Sequence, residues 1–504
     1  MIMARSTQCC LCGQSGKRDC PAKGALICTS CCGSKRGSQI DCPVDCTSFP
    51  FGTKAYDLWL KVDGSWQRKA LEYVVRKIGN EKFERTARAI SPSWAQDKEQ
   101  AFLEGVHAAL LFYLVTAGDD GVRTLGEQWS ANKWTGLNND ECYMAQYRIR
   151  ALPGILEVQA VLDDTRIECT DLLDRDRGKF IVFDRNTASR ANRFDTVVVW
   201  LVHYPFFTRV DGSGVHLERN LIEPFLEEMR KRTKASLKET SDMAMKKHLA
   251  GHFGEALELV AQLGREMQER MLSSLDANHC RAYYRIKSSQ ADIAAILKAK
   301  PDFQPDEDSE LQPDDPPDSR YFLWMRRGEA KRLERYMPSV FRHKIPEDGV
   351  GVLGAVRLSS DELMLETFSR QKFDFAKKLL KKYFGNDLAF LKEEIVNLAQ
   401  QAFERSQDPA MERKPPQKST VPPEVEKQLI EQFHRRNYEK FLDDTIPMLS
   451  GLTPRQAAAD PKMRAKLIDL MKLHMQGLEG QSREKGFALN IDWVLKELGL
   501  NELM

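Results

Sequence analysis

Cys9-Cys10-Leu11-Cys12-Gly13, Cys20-Pro21, Cys28-Thr29-Ser30-Cys31-Cys32-Gly33 and Cys42-Pro43-Val44-Asp45-Cys46 gather nine of the chain's 12 cysteines between Cys9 and Cys46. Cys9/Cys12 and Cys28/Cys31 each have the two-residue gap that lets one turn present two thiolates to a tetrahedral ion. Glycines follow Cys12 and Cys32, where a knuckle must bend tightly. These two pairs are enough for one four-thiolate site. Cys20, Cys32, Cys42 and Cys46 are enough for a second, with Cys10 spare. Spacing does not say which cysteines share an ion. An iron–sulfur cluster and disulfides are the competing readings, but paired knuckles with glycine recur in structural zinc sites. All the candidate ligands are thiolates and no coordination position is left open for catalysis. The expectation is therefore two structural zinc ions in a module spanning residues 1–50, with the metal supplying the energy that folds it.

Working outward, 504 residues are too many for one core, and two to four domains are expected. Clustered cysteines behind a start with no apolar secretory segment imply a reducing compartment, taken as the cytoplasm. The apolar run at residues 107–115 is far short of the ~20 residues a membrane helix needs. With 42% hydrophobic and 29% charged residues the composition is that of a soluble protein, and a net charge of +2 means any basic surface must be local. Cys142, Cys169 and Cys280 read as small buried apolar residues.

The expected fold class is α+β and multidomain. Residues 51–150 have helical periodicity, with Trp59, Trp66, Leu71, Val74 and Val75 near three- and four-residue spacing and a nearly continuous apolar helix over 101–116. Trp94, Trp129 and Trp134 read as core anchors. Residues 151–220 carry strand-like runs at 155–162, 166–173, 179–184 and 196–203, separated by turn-like stretches at 163–164, 174–178 and 186–193. Asp211-Gly212-Ser213-Gly214 reads as a further turn, and the whole as a small antiparallel barrel or sheet. Charged helices fill 221–278. Residues 279–406 read as an α+β sandwich: strands at 282–286, 321–325, 353–358 and 363–367, and helices at 291–300 and 371–384, the last closed by Gly385. An acidic, proline-rich loop lies at 306–318. Residues 407–423 are a linker, and 424–504 a helical domain in which Thr453-Pro454-Arg455-Gln456 is a capping box.

Few residues suggest chemistry. His248 and His252 lie one turn apart, yet Leu249 stands where a zinc protease would carry its glutamate. Cys280 beside His279 lacks a base at a defined distance. The expectation is a protein that is not an enzyme. Lys35 and Arg36 after the knuckle are candidate phosphate contacts, against the plainer reading of a solvated turn. Arg326, Arg327, Lys331, Arg332 and Arg335, continued by Arg342, His343 and Lys344 and broken by Tyr336 and Phe341, interleave cations with aromatics as single-stranded nucleic acid requires. A solvated helix face balanced by the acidic loop is the alternative.

Three stretches together resemble a group of bacterial multidomain proteins of zinc-binding or SEC-C-motif type. The first is the Cys31-Cys32-Gly33-Ser34-Lys35-Arg36 knuckle with Ile40-Asp41-Cys42-Pro43. The second is Cys169-Thr170-Asp171-Leu172-Leu173, with Leu353-Gly354-Ala355-Val356 leading to Leu363 through Ser369. The third runs from Tyr438 to Asp443 and from Ile446 to Ala457, and is also similar to the toxin-binding domain of some antitoxins. The cysteine spacing here differs from the SEC-C motif, so no metal ligand is carried over from it. The resemblance implies the domain layout more than an activity. The expected function is a cytoplasmic zinc protein binding nucleic acid or a nucleoprotein. The alternative is a protein-interaction adaptor, in a toxin–antitoxin or defence setting, docking a partner through its C-terminal helices.

Overall fold

The computed structural model describes residues 7–91, 97–116, 123–274, 277–307, 315–335, 351–406 and 423–504. Trp94, Tyr336, Phe341, Arg342, His343, Lys344 and most of the expected linker lie outside the described residues. The chain forms two compact units, Met1–Arg265 with Ser419–Met504, and Glu266–Lys418.

The first unit opens with a small hairpin, β1 (Arg18–Cys20) and β2 (Ala25–Ile27), and a short helix, α1 (Thr29–Lys35). A helical layer follows: α2 (Tyr56–Ile78), α3 (Asn80–Ile90), α4 (Lys98–Val115), α5 (Leu125–Ala131) and α6 (Asn139–Arg148). α2 buries Trp59, Val62, Trp66, Ala70 and Val74, one stripe at helical spacing. α5 and α6 each start on a capping box, Thr124 with Glu127 and Asn138 with Glu141. α3 and α4 approach so closely that a Cβ on Gly105 would lie 2.2 Å from Ser91 Oγ and 2.4 Å from the Ala87 carbonyl oxygen.

β3 (Leu152–Val161), β4 (Arg166–Asp171), β5 (Phe180–Phe183), β6 (Thr196–His203) and β7 (Thr208–His216) close a barrel in the order β3-β4-β5-β7-β6, with α7 (Arg185–Arg190) between β5 and β6. Three expectations are corrected here. The barrel is not antiparallel throughout, because β5 and β7 pair in parallel at Val182 and Thr208. Residues 211–214 are not a turn but part of β7: Gly214 lets the backbone approach β6, since a Cβ there would meet Val197 Cγ1 at 2.7 Å, and Gly212 takes φ +67° beside a register shift. The turn-like stretch at 186–193 holds α7, which Asp184 caps by accepting from Thr187 N at 2.8 Å.

Buried charges join helices to barrel. Arg148 pairs with Asp63 at 2.5 Å and Asp211 at 3.2 Å and lies over Trp66. Arg209 pairs with Asp184 at 2.8 Å over Trp59. α8 (Ile222–Leu237) and α9 (Asp242–Gly251) follow, and Lys246 reaches the fully buried Asp171 at 2.6 Å. α10 (Phe253–Ser274) begins in this unit.

The second unit is a six-stranded sheet under two helices. Its elements run β8 (Asn278–Ile286), α11 (Gln290–Ala299), β9 (Phe303–Asp306), β10 (Arg320–Met325), β11 (Val352–Leu358), β12 (Glu362–Thr367), α12 (Arg370–Phe384), β13 (Leu388–Asn397) and α13 (Leu398–Ser406). The strand order is β13-β8-β12-β11-β10-β9, antiparallel throughout. Cys280, Ala282 and Tyr284 of β8 and Leu363 and Leu365 of β12 share a core with Phe373, Ala376 and Leu380 of α12.

Back in the first unit, α14 (Pro423–Phe441), α15 (Pro454–Ala459), α16 (Arg464–Lys485) and α17 (Asp492–Glu497) enclose a core of Leu442, Leu449, Leu467, Met471 and Val494 that takes in Phe194 from the barrel. The capping box at Thr453 and Gln456 is formed. α16 meets the barrel through Lys472–Glu157 at 2.9 Å, and Gln476 donates to Asp195 at 2.6 Å. Among the described residues no helix is long and apolar enough to cross a membrane.

Candidate metal centre

The centre is built from two tight turns. Cys9 begins a knuckle in which Gly13 N donates to the Cys9 carbonyl at 2.9 Å, and Gly13 takes φ +73°, the left-handed region glycine enters without steric cost. The hairpin of β1 and β2 then carries the chain to Cys28, the N-cap of α1, where Cys31 N donates to Cys28 Sγ at 3.3 Å. Cys28 and Cys31 thus sit on one helical turn facing the Cys9 knuckle.

The sulfurs of Cys9, Cys12, Cys28 and Cys31 all lie within 4.8 Å of one another, and Cys12 Sγ and Cys28 Sγ are 3.7 Å apart. A tetrahedral ion with metal–sulfur bonds of about 2.3 Å has sulfur–sulfur edges of about 3.8 Å. All 12 cysteines are free thiols. Donor type, number and spacing therefore fit a closed, four-thiolate site for a metal ion. Backbone hydrogen bonding from Cys28 holds the Cys9 thiol down at about 6, while Cys12 and Cys28 push the Cys31 thiol up to about 12. Packing four thiolates together needs a cation.

Cys20, Cys32, Cys42 and Cys46 line a second, small pocket together with Ile27, Ile40 and Pro43. Cys20, Cys32 and Cys42 are buried and Cys46 half-buried. Arg18 Nη1 donates to Cys32 Sγ at 3.5 Å. Burial pushes the Cys42 thiol up to about 11, with smaller contributions from Cys46, Cys32 and Cys20. Among the described residues, however, only the first quartet has all its donor atoms within 4.8 Å. Cys10 is exposed on the first knuckle.

Arg36 is not available to a phosphate, and that expectation is corrected. Its side chain is buried, donating from Nε to Asp140 Oδ1 at 2.8 Å, from Nη2 to Asp140 Oδ2 at 2.5 Å and from Nη1 to the Ser48 carbonyl. Asn139 donates to the carbonyls of Gly33 and Arg36, and Ser38 Oγ to Asn139 Oδ1. Phe49 and Phe51 pack on Tyr143 of α6. The cysteine module is thereby fastened to the start of α6. In the sequence Asp140 and Asn139 read only as part of a helix, with no local signal of this role.

Lys35 is half-buried in the last turn of α1. Arg326, half-buried, and Arg327, exposed, follow β10, and Lys331, Arg332 and Arg335 lie on the 3-10 segment Gly328–Arg335. The side chains of those last three lie outside the described residues. The metal centre and this basic segment belong to different units. The His248 and His252 rings stack, with His248 Nδ1 paired to Ser236 Oγ at 2.9 Å and His252 Nδ1 to the His248 carbonyl at 3.0 Å. Cys280 is buried in the sheet's core, while its neighbour His279 pairs with Glu366 at 2.6 Å.

Comparison with family models, curated proteins and solved structures gives no match to this chain.

Proposed function

We propose that this chain is a non-enzymatic cytoplasmic protein, stapled at its N-terminal module by two structural zinc ions, that binds nucleic acid or a nucleoprotein. The observation that carries the zinc is the all-thiolate quartet Cys9, Cys12, Cys28 and Cys31. Zinc suits four soft donors in a closed tetrahedron and does no redox chemistry there. The second ion is assigned to Cys20, Cys32, Cys42 and Cys46, which share a pocket and lie next in sequence to the first set. Elemental analysis of the purified chain tests both assignments. Two zinc per chain are expected, falling to one in a Cys42→Ser/Cys46→Ser variant; iron, or a single zinc in the parent, overturns them.

Support for nucleic acid is the basic run Arg326, Arg327, Lys331, Arg332 and Arg335 at the end of β10, with Lys35 as a second contact. Fluorescence anisotropy with random RNA and DNA at two salt concentrations tests it, because phosphate contacts strengthen as salt falls. Alanine at Arg326, Arg327 and Arg335 should weaken binding and flatten the salt slope. No binding at low salt ends this reading.

One observation favours a second reading, the protein-interaction adaptor of a toxin–antitoxin or defence setting. Val425, Leu429 and Phe433, four residues apart on α14, are exposed large hydrophobics on one helix face. Replacing all three with serine should abolish capture of a protein partner without changing nucleic-acid affinity.

A further inference from the structure

The sheet of the second unit has two unlike edges. Sheet edges expose unpaired backbone donors and acceptors, and proteins blunt them with short strands, proline or charge. β9 uses the first two devices: it has four residues, one of them Pro305. β13, at the other end, is ten residues long without proline or glycine, and among the described residues no strand pairs with its outer side. Phe390, Leu391, Ile395 and Val396 along it are 54%, 45%, 37% and 40% exposed.

The charges at its centre are of both signs. Lys392 and Glu394 point to the face away from α12 and pair with each other at 2.6 Å, and Tyr283 donates to Glu394 at 3.1 Å. Glu393 points the other way, held by Lys377 at 2.6 Å and Arg370 at 3.7 Å. The order is two apolar residues, three charged, two apolar, nearly symmetric about Glu393.

We propose that the outer edge of β13 is a self-association surface that receives a second copy of this chain, strand against strand and antiparallel about Glu393. In that register Lys392 of each copy lies opposite Glu394 of the other. The two Glu393 carboxylates meet, but each is already neutralised by its own Lys377. The register shift between Phe390 and Lys392 interrupts the ladder to β8, so regular two-fold pairing covers Lys392, Glu393 and Glu394, and the charge pairs set the alignment. The result is one continuous sheet across a two-fold axis. This surface is independent of the zinc and nucleic-acid readings.

The test uses the full chain and sedimentation equilibrium. The parent should sediment at twice the chain mass. Lys392→Glu alone and Glu394→Lys alone each replace two attractive cross-strand pairs by repulsive ones, and should weaken self-association by about tenfold or more. An equimolar mixture of the two variants restores opposite charges at both positions and should recover the dimer, which repair of a contact within one chain cannot do. Thermal melts of each variant check that the fold survives. A parent that sediments at single-chain mass, single variants that dimerise as the parent does, or a mixture that does not recover the dimer overturns the proposal.

Discussion

Arg36→Ala is the sharpest perturbation of the cysteine module. The Arg36 and Asp140 side chains are 8% and 13% exposed, and the guanidinium meets both carboxylate oxygens and the Ser48 carbonyl. Removing one partner of a buried pair costs about 3–5 kcal/mol, because the other charge stays buried; Asp140 keeps some solvent access, so the lower figure, about 3 kcal/mol, applies. Folding of a small metal module and metal binding are a single equilibrium. That cost should therefore appear as zinc affinity weakened by about a hundredfold. Competition against a chromophoric chelator measures it, with Asp140→Asn as the reciprocal variant. Arg36→Ala with Asp140→Ala should cost less than the sum of the single changes, since no charge is then stranded. Zinc affinity within twofold of the parent in Arg36→Ala would refute the claim that this pair fastens the module to α6.

Gly105→Ala places a methyl group against the Ala87 carbonyl, which backbone geometry holds fixed, and should lower stability by about 2 kcal/mol in chemical denaturation despite alanine's better helix propensity. His203 gives a pH dependence. Burial, then Arg177 and Lys246, hold its imidazole down to about 4 from an ordinary 6.5. The unfolded chain therefore takes up a proton between those values that the folded chain refuses. Stability is full above pH 6.5 and falls by roughly 3 kcal/mol as pH drops to 4. Denaturation midpoints at pH 7 and pH 4.5 should differ less in His203→Gln than in the parent.

Legibility in the sequence follows the range of each interaction. The first cysteine quartet is readable because each pair of ligands lies on one local turn and the glycine beside Cys12 shows where the knuckle bends. The capping box at Thr453 is readable for the same reason. Arg36 misleads because its partner, Asp140, is 104 residues away, and an arginine after a cysteine knuckle looks the same whether it meets phosphate or a carboxylate. Gly212 and Gly214 read as a turn because glycine marks turns, but in β7 they admit the close approach of β6. β9 and β13 are illegible since neither shows half-buried alternation: one contains Pro305, the other is exposed along most of its length. A barrel with buried ion pairs such as Lys246–Asp171 is fixed by contacts that no local pattern announces.

The pairing of Glu157 with Lys472 spans 315 residues, and the whole second unit is encoded between them. Translation at roughly 5–20 residues per second separates their synthesis by about 15–60 s. Once Arg219 has been made, the nascent barrel holds Glu157 with Arg219 and Gln159 but without Lys472, and Phe194 lacks the α16 side chains that cover it. The order of synthesis thus leaves a half-built seam on the barrel until the last eighty or so residues leave the ribosome. A chain halted before Pro423 should accordingly expose this seam to protease at residues 190–195, and the finished chain should not.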